Sequence, residues 1–110
     1  MIGIYKIQNL INGKVYIGQS INIERRFHQH KYDDSQNSVI HRAIKKYGIE
    51  NFSFEVIEEC NYKDLDEREI FWIKYYNSSN KNNGYNLTLG GQRGQKYDYA
   101  QIFFFVARRV

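Results

Sequence analysis

The sequence predicts an α+β fold: a small three-stranded sheet covered by helices, in the order β-β-α-α-β-α. Three observations predict it. Two strand-like segments at the start of the chain flank Asn12-Gly13, a strong hairpin turn signal. Two segments with apolar residues four apart follow, opened by the capping residues Asn22 and Ser38. An alternating run, Phe52-Phe54-Val56, then precedes a third helical segment. The pattern leaves strand order, and the choice between mixed and antiparallel pairing, open.

Gly3 to Gln8 is rich in Ile and Tyr and alternates, so it reads as the first strand; Lys14 to Gly18 returns as the second. With Tyr5 opposite Tyr16, both phenols project from one face, because side-chain direction alternates along each strand. Asn22 caps a helix reaching about His30, with Ile23 and Phe27 on one side and Arg26 and His30 stacked on another. Ser38 to Tyr47 is the second helix, with Ile40 and Ile44 as its buried pair and Gly48 as its stop. Asn61 or Asp64 opens the third helix, whose first turn is acidic, as the helix dipole favours. Leu65, Phe71, Trp72 and Tyr75 supply its apolar side. Residues 77–84 are nearly all Asn, Ser, Lys and Gly and read as a loop. Tyr85 to Leu89 reads as a short extended piece, and Gly90, Gly91 and Gly94 around Arg93 as a flexible segment.

A chain of 110 residues is one domain, and 42% hydrophobic residues suffice for a modest core. The net charge of +4 favours a polyanionic partner, and its distribution is uneven. Residues 1–50 carry a net +4, residues 51–76 a net −4, and residues 77–110 again +4. That pattern suits a phosphate-facing surface with carboxylates gathered in one element, or equally a solvated acidic helix on a basic protein. The single cysteine, Cys60, allows no intramolecular disulfide and no cysteine-based zinc site, so a reducing, cytoplasmic compartment is expected. Lys6, Gln8 and Asn9 break up the first apolar residues, which do not read as a signal peptide. The longest apolar run, Ile102 to Ala107, falls far short of the roughly 20 residues of a membrane span.

Several residues have the chemistry for phosphodiester cleavage, which requires a water nucleophile, stabilisation of charge on the phosphoryl group, and help for the leaving oxygen. Tyr5 and Tyr16 are weak acids that position or deprotonate water. A phenol with a pKa of about 10 is mostly protonated at neutral pH, so either Arg26 stabilises the phenolate or His30 takes the proton. Arg26 also offers a planar fork to phosphate oxygens, although Arg25 is its equal by charge. Glu69 is a candidate ligand for a hard cation, which needs few carboxylates; taken alone it reads as a solvated helix residue. Asn86 lies in an Asn-rich turn and has an amide able to hold a neighbour. His28 and His41 read as surface histidines. Lys14, Arg25, Lys31, Arg42, Lys45 and Lys46 are candidates for non-specific phosphate contacts.

Gly3-Ile4-Tyr5 and Tyr16-Ile17-Gly18, followed by Arg26, His30, Glu69 and Asn86, resemble the GIY-YIG nuclease family. The resemblance covers residues 1 to about 92. Glu69 within Glu69-Ile70-Phe71-Trp72-Ile73, and Asn86 within Gly84-Tyr85-Asn86-Leu87-Thr88, look closest to the homing-endonuclease branch of phages and mobile introns. The resemblance implies a GIY-YIG fold and a divalent-metal-dependent endonuclease acting on double-stranded DNA. It implies Tyr5 as the base, Tyr16 as positioner of water or phosphate, and Glu69 as ligand to one Mg2+ or Mn2+ ion. His41 lies near a polar site residue of some relatives and stays a candidate on that ground. A catalytic domain over 1–92 and a C-terminal tail over 93–110 follow. Homing relatives carry a separate DNA-recognition region after this domain; Ile102-Phe103-Phe104-Phe105-Val106 looks instead like an apolar segment in need of a partner. The alternatives are a DNA-binding module without catalysis, and a repair or restriction nuclease built on the same domain.

Overall fold

The computed structural model of the chain describes residues 1–91 apart from Asp34 and Gln36. The 93–110 tail, with Arg93, Gly94 and the Ile102–Val106 segment, lies outside the described residues. The elements run β1 (Gly3–Asn9), β2 (Val15–Ser20), α1 (Ile23–Tyr32), α2 (Val39–Tyr47), β3 (Phe52–Glu59) and α3 (Leu65–Tyr76), in the expected order. The sheet order is β2-β1-β3, and both pairings are antiparallel.

Local sequence explains the boundaries. The Asn22 side chain accepts from Arg25 N to open α1, and the Ser38 side chain accepts from His41 N to open α2. Gly48 ends α2 at φ 89°, in the left-handed region that favours glycine. A short 3-10 turn, Tyr62–Asp64, leads into α3. Of Tyr85–Leu89, expected to be extended, only the start runs beside the sheet. Gly84 bridges Val15 in parallel and Tyr85 N donates to Val15 O, whereas Leu87 and Leu89 are exposed.

Strand alternation divides the core between the two faces of the sheet. One face carries Tyr5 and Ile7 of β1, packed with Ile23, Ile40, Ala43 and Ile44 of α1 and α2 and with half-buried Tyr16 and Phe54. The other carries Ile4, Val15 and Ile17 against Leu65 and Ile73 of α3. The α3 face differs from the expected one in part. Leu65 is fully buried and Trp72 half-buried against the same core, as expected, while Phe71 and Tyr75 are 44% and 67% exposed. The buried row is Leu65, Glu69 and Ile73, spaced four apart, so the row that faces the sheet contains a carboxylate. Among the described residues no helix is long and apolar enough to cross a membrane.

Candidate active site

The β1–β2 register places Tyr5 opposite Gly18 and Tyr16 opposite Ile7. This corrects the direct Tyr5–Tyr16 pairing, though a shift of two residues keeps both phenols on one face. It also accounts for the two motif glycines. A Cβ on Gly18 would overlap the Tyr5 ring, and one on Gly3 would overlap the Glu58 carbonyl oxygen where the β1–β3 register shifts. Both glycines act here by leaving space.

Around Tyr5 the structure assembles an aromatic cluster. The Tyr5 ring centroid lies 6.3 Å from that of Tyr16, 5.3 Å from Phe27 and 5.6 Å from His30. Tyr5 Oη and His30 Nε2 share a buried hydrogen bond of 2.9 Å, and Tyr5 is 1% exposed. His41, expected at the surface, is buried and stacks on His30 with ring centroids 4.5 Å apart. Its Nδ1 is hydrogen-bonded to Ser38 Oγ, the capping serine one turn before it at the start of α2. His28 is exposed on α1 and packs on Tyr32, as expected of a surface histidine.

Burial, the Arg26 guanidinium and the neighbouring His41 hold the His30 imidazole at a pKa of about 2, against an ordinary value of 6.5. Burial and Arg26 also lower His41, with Asp33 opposing them. Both imidazoles are therefore neutral at physiological pH. Among the described residues, His30 Nδ1 and His41 Nε2 are buried without a hydrogen-bond partner. Arg26 Nη1 donates to Gln29 Oε1 at 3.0 Å, which orients the guanidinium from within its own helix. The expected residues Tyr5, Tyr16, Arg26 and His30 thus gather on the α1–α2 face, joined by His41.

Glu69 and Asn86 stand elsewhere. Glu69 is 1% exposed on α3, across the sheet. Its Oε1 accepts from Gln19 Nε2 at 3.2 Å and from Gly91 N at 3.0 Å, and Gln19 Nε2 also donates to Asp66 Oδ1 at 2.9 Å. Gly90 and Gly91, expected in a flexible segment, curl over Glu69 with φ of 92° and 78°. The Asn86 amide clips β2. Its Oδ1 accepts from Ile17 N at 2.9 Å and from Ser78 Oγ at 2.7 Å, and its Nδ2 donates to Ile17 O at 2.8 Å. The two groups come closest in sequence at Gly18 and Gln19, consecutive residues of β2 facing opposite sides.

Sequence reasoning missed Gln19. The signal was a polar residue continuing the apolar row Val15, Ile17 on the strand face that α3 covers. The donor chemistry around Glu69 fits a hard divalent cation, which takes one or two carboxylates and keeps several waters. It does not fit a closed zinc cage: among the described residues no three His, Cys, Asp or Glu side chains converge.

Comparisons with known proteins agree with this fold. The profile described as the GIY-YIG catalytic domain matches residues 1–86. Intron-associated endonuclease 1 of Enterobacteria phage T4 is 43% identical over 91 residues, covering 77% of this chain and 36% of that protein. Endonuclease segA of the same phage is 31% identical over 106 residues, covering 86% of this chain and 41% of its own length. The chain spans less than half the length of either relative. The solved catalytic domain of homing endonuclease I-TevI superimposes with a TM-score of 0.67 at 37% identity, covering 80% of this chain and 99% of that one. A mutant of the same domain superimposes with a TM-score of 0.68 at 39% identity, covering 79% of this chain and 93% of that one.

Proposed function

Because this chain belongs to the GIY-YIG catalytic-domain family, we propose that it is a divalent-metal-dependent DNA endonuclease of the homing type, hydrolysing phosphodiester bonds in double-stranded DNA. The observation that carries the reading is the 2.9 Å Tyr5–His30 hydrogen bond beside Arg26. It gives a phenol a proton partner and a cationic neighbour in one buried cluster.

In this reading the scissile phosphate lies near Gly18–Gln19, where β2 is within one residue of both groups. Arg26 grips its oxygens with a planar fork. Tyr5, as the phenolate, takes the proton of the attacking water and becomes the phenol, while the P–O bond to the leaving oxygen breaks and that oxygen takes a proton from solvent. Before the step Arg26 favours the phenolate, and neutral His30 supports it by donating Nε2–H to the phenolate oxygen. The charge and burial that hold His30 neutral make it a poor store for a second proton. That favours Tyr5 over His30 as the base. Tyr16, half-exposed on the same face, orients water or phosphate. Asn86 is a positioning residue that keeps the Tyr16–Gly18 strand in place. Glu69, with Mg2+ or Mn2+ as the fitting ion, is the cation ligand; when bound, the cation supplies neutralisation of charge on the phosphate oxygens.

Plasmid nicking tests the proposal. The purified chain should cut with Mg2+ and stop with chelator. Tyr5→Phe, Arg26→Ala and Glu69→Ala should each lower the rate at least about 100-fold, the scale of losing one acid–base or charge-stabilising group. Equal cleavage by the native chain and Glu69→Ala would sink the reading. Salt-dependent DNA binding without any cutting would leave a binding module in its place.

A further inference from the structure

We propose that Gln19 is a positioning residue for the Glu69 carboxylate and, through it, for the divalent cation; the inference rests on the nuclease reading above. Gln19 follows the Tyr16-Ile17-Gly18 motif and is 3% exposed, on the strand face otherwise lined by Val15 and Ile17. An amide in that apolar row is costly unless its polar atoms are bonded. Its two Nε2 hydrogens go to two carboxylates one helical turn apart, Asp66 Oδ1 at 2.9 Å and Glu69 Oε1 at 3.2 Å.

The arrangement is specific to an amide. Asp66 and Glu69 both accept from the Gln19 amide, and an apolar side chain in place of Gln19 would leave both without its N–H donors. A cationic side chain would occupy with its own charge the place a metal ion needs. A neutral –NH2 group satisfies both carboxylates and leaves their negative charge uncancelled. The second bond on Glu69 Oε1, from Gly91 N at 3.0 Å, restrains the same carboxylate from the other side. Partners of this kind orient metal-binding carboxylates, and their removal typically costs about 10–100-fold in metal affinity or activity.

The test uses Mn2+ as the probe, with free Mn2+ followed by electron paramagnetic resonance on the metal-free chain. Gln19→Met keeps the length of the side chain and removes both donors. It should weaken Mn2+ binding about 10–100-fold and raise the Mg2+ concentration for half-maximal nicking by a similar factor, with the rate recovering at saturating Mg2+. A merely structural role would lower the rate without moving the cation dependence. Gln19→Glu adds a third carboxylate beside Asp66 and Glu69, and its melting temperature should rise more on adding Mn2+ than the native chain's does. Mn2+ affinity of Gln19→Met within twofold of native overturns the inference, as does Mn2+ binding that Glu69→Ala leaves intact. If Gln19→Met fails to fold, an Mn2+-induced gain in Gln19→Glu no larger than native overturns it. A native chain that binds Mn2+ through Glu69 but cuts no DNA defeats the nuclease reading, while the Mn2+ measurements still decide the role of Gln19.

Discussion

Mild acid should destabilise this domain through His30, to an extent set by the burial of one ring. In the unfolded chain the imidazole titrates at its ordinary value of 6.5; in the fold, burial, Arg26 and His41 hold it at about 2. The folded pKa is depressed, so below pH 6.5 the unfolded chain binds a proton that the folded chain refuses. His30's contribution to stability is complete above 6.5 and is lost progressively as pH falls toward 2. From about pH 7.5 to pH 5 the loss is about 2 kcal/mol. Because the folded value lies well below that window, the figure depends only on the unfolded one. Two kilocalories is a large share of a small domain's total of about 5–15 kcal/mol. His41 is lowered as well and acts in the same direction. Urea unfolding followed by the fluorescence of Trp72, the single tryptophan, would measure the loss at the two pH values. In His30→Gln the residue no longer titrates but can still bond Tyr5, and the acid loss should shrink by about 2 kcal/mol. Equal losses in the native chain and His30→Gln would refute the argument.

Two more substitutions probe the packing around the motif. Gly18→Ala forces a Cβ into the Tyr5 ring and should cost about 1–3 kcal/mol as overpacking; a native urea midpoint would show that the ring has room to move. Asn86→Ala leaves Ile17 N and O and the Ser78 hydroxyl without their amide partner. It should cost about 1–3 kcal/mol and speed hydrogen exchange at the Ile17 amide, whereas unchanged exchange would show that the clip does not hold the strand.

The fold was largely legible because each element announces itself locally. Asn22, Ser38 and Gly48 carry start and stop chemistry in their own side chains or backbone freedom, and the structure uses all three as expected. What could not be read depends on pairing between distant residues. The register that sets Tyr5 against Gly18 follows from hairpin geometry, and hydrophobic pattern alone fixes the face while leaving a two-residue slip open. On α3, apolarity picked out buried Leu65 and half-buried Trp72 but also exposed Phe71 and Tyr75, and it passed over Glu69, because the buried row holds a carboxylate. Tyr5, Arg26 and His30 were picked out by residue type and resemblance. The burial of His41 against His30, and the bond from Gln19 to Glu69, arise only when separate elements meet. Such residues look bland in sequence because their partners lie on other elements, up to 50 positions away.

The Asn86 clip has a consequence for how this domain keeps to itself. β2 is an outer strand, and a strand with open N–H and C=O groups is a template onto which another chain can add. Here the backbone at 83–85 takes both groups of Val15, and the Asn86 amide takes both groups of Ile17. The strand that carries the Tyr16 phenol is therefore covered at Val15 and Ile17, on either side of that residue, against recruitment by a neighbouring copy. Shortening the chain ahead of Asn83 would strip that cover and turn the Tyr16 strand into a seed for aggregation.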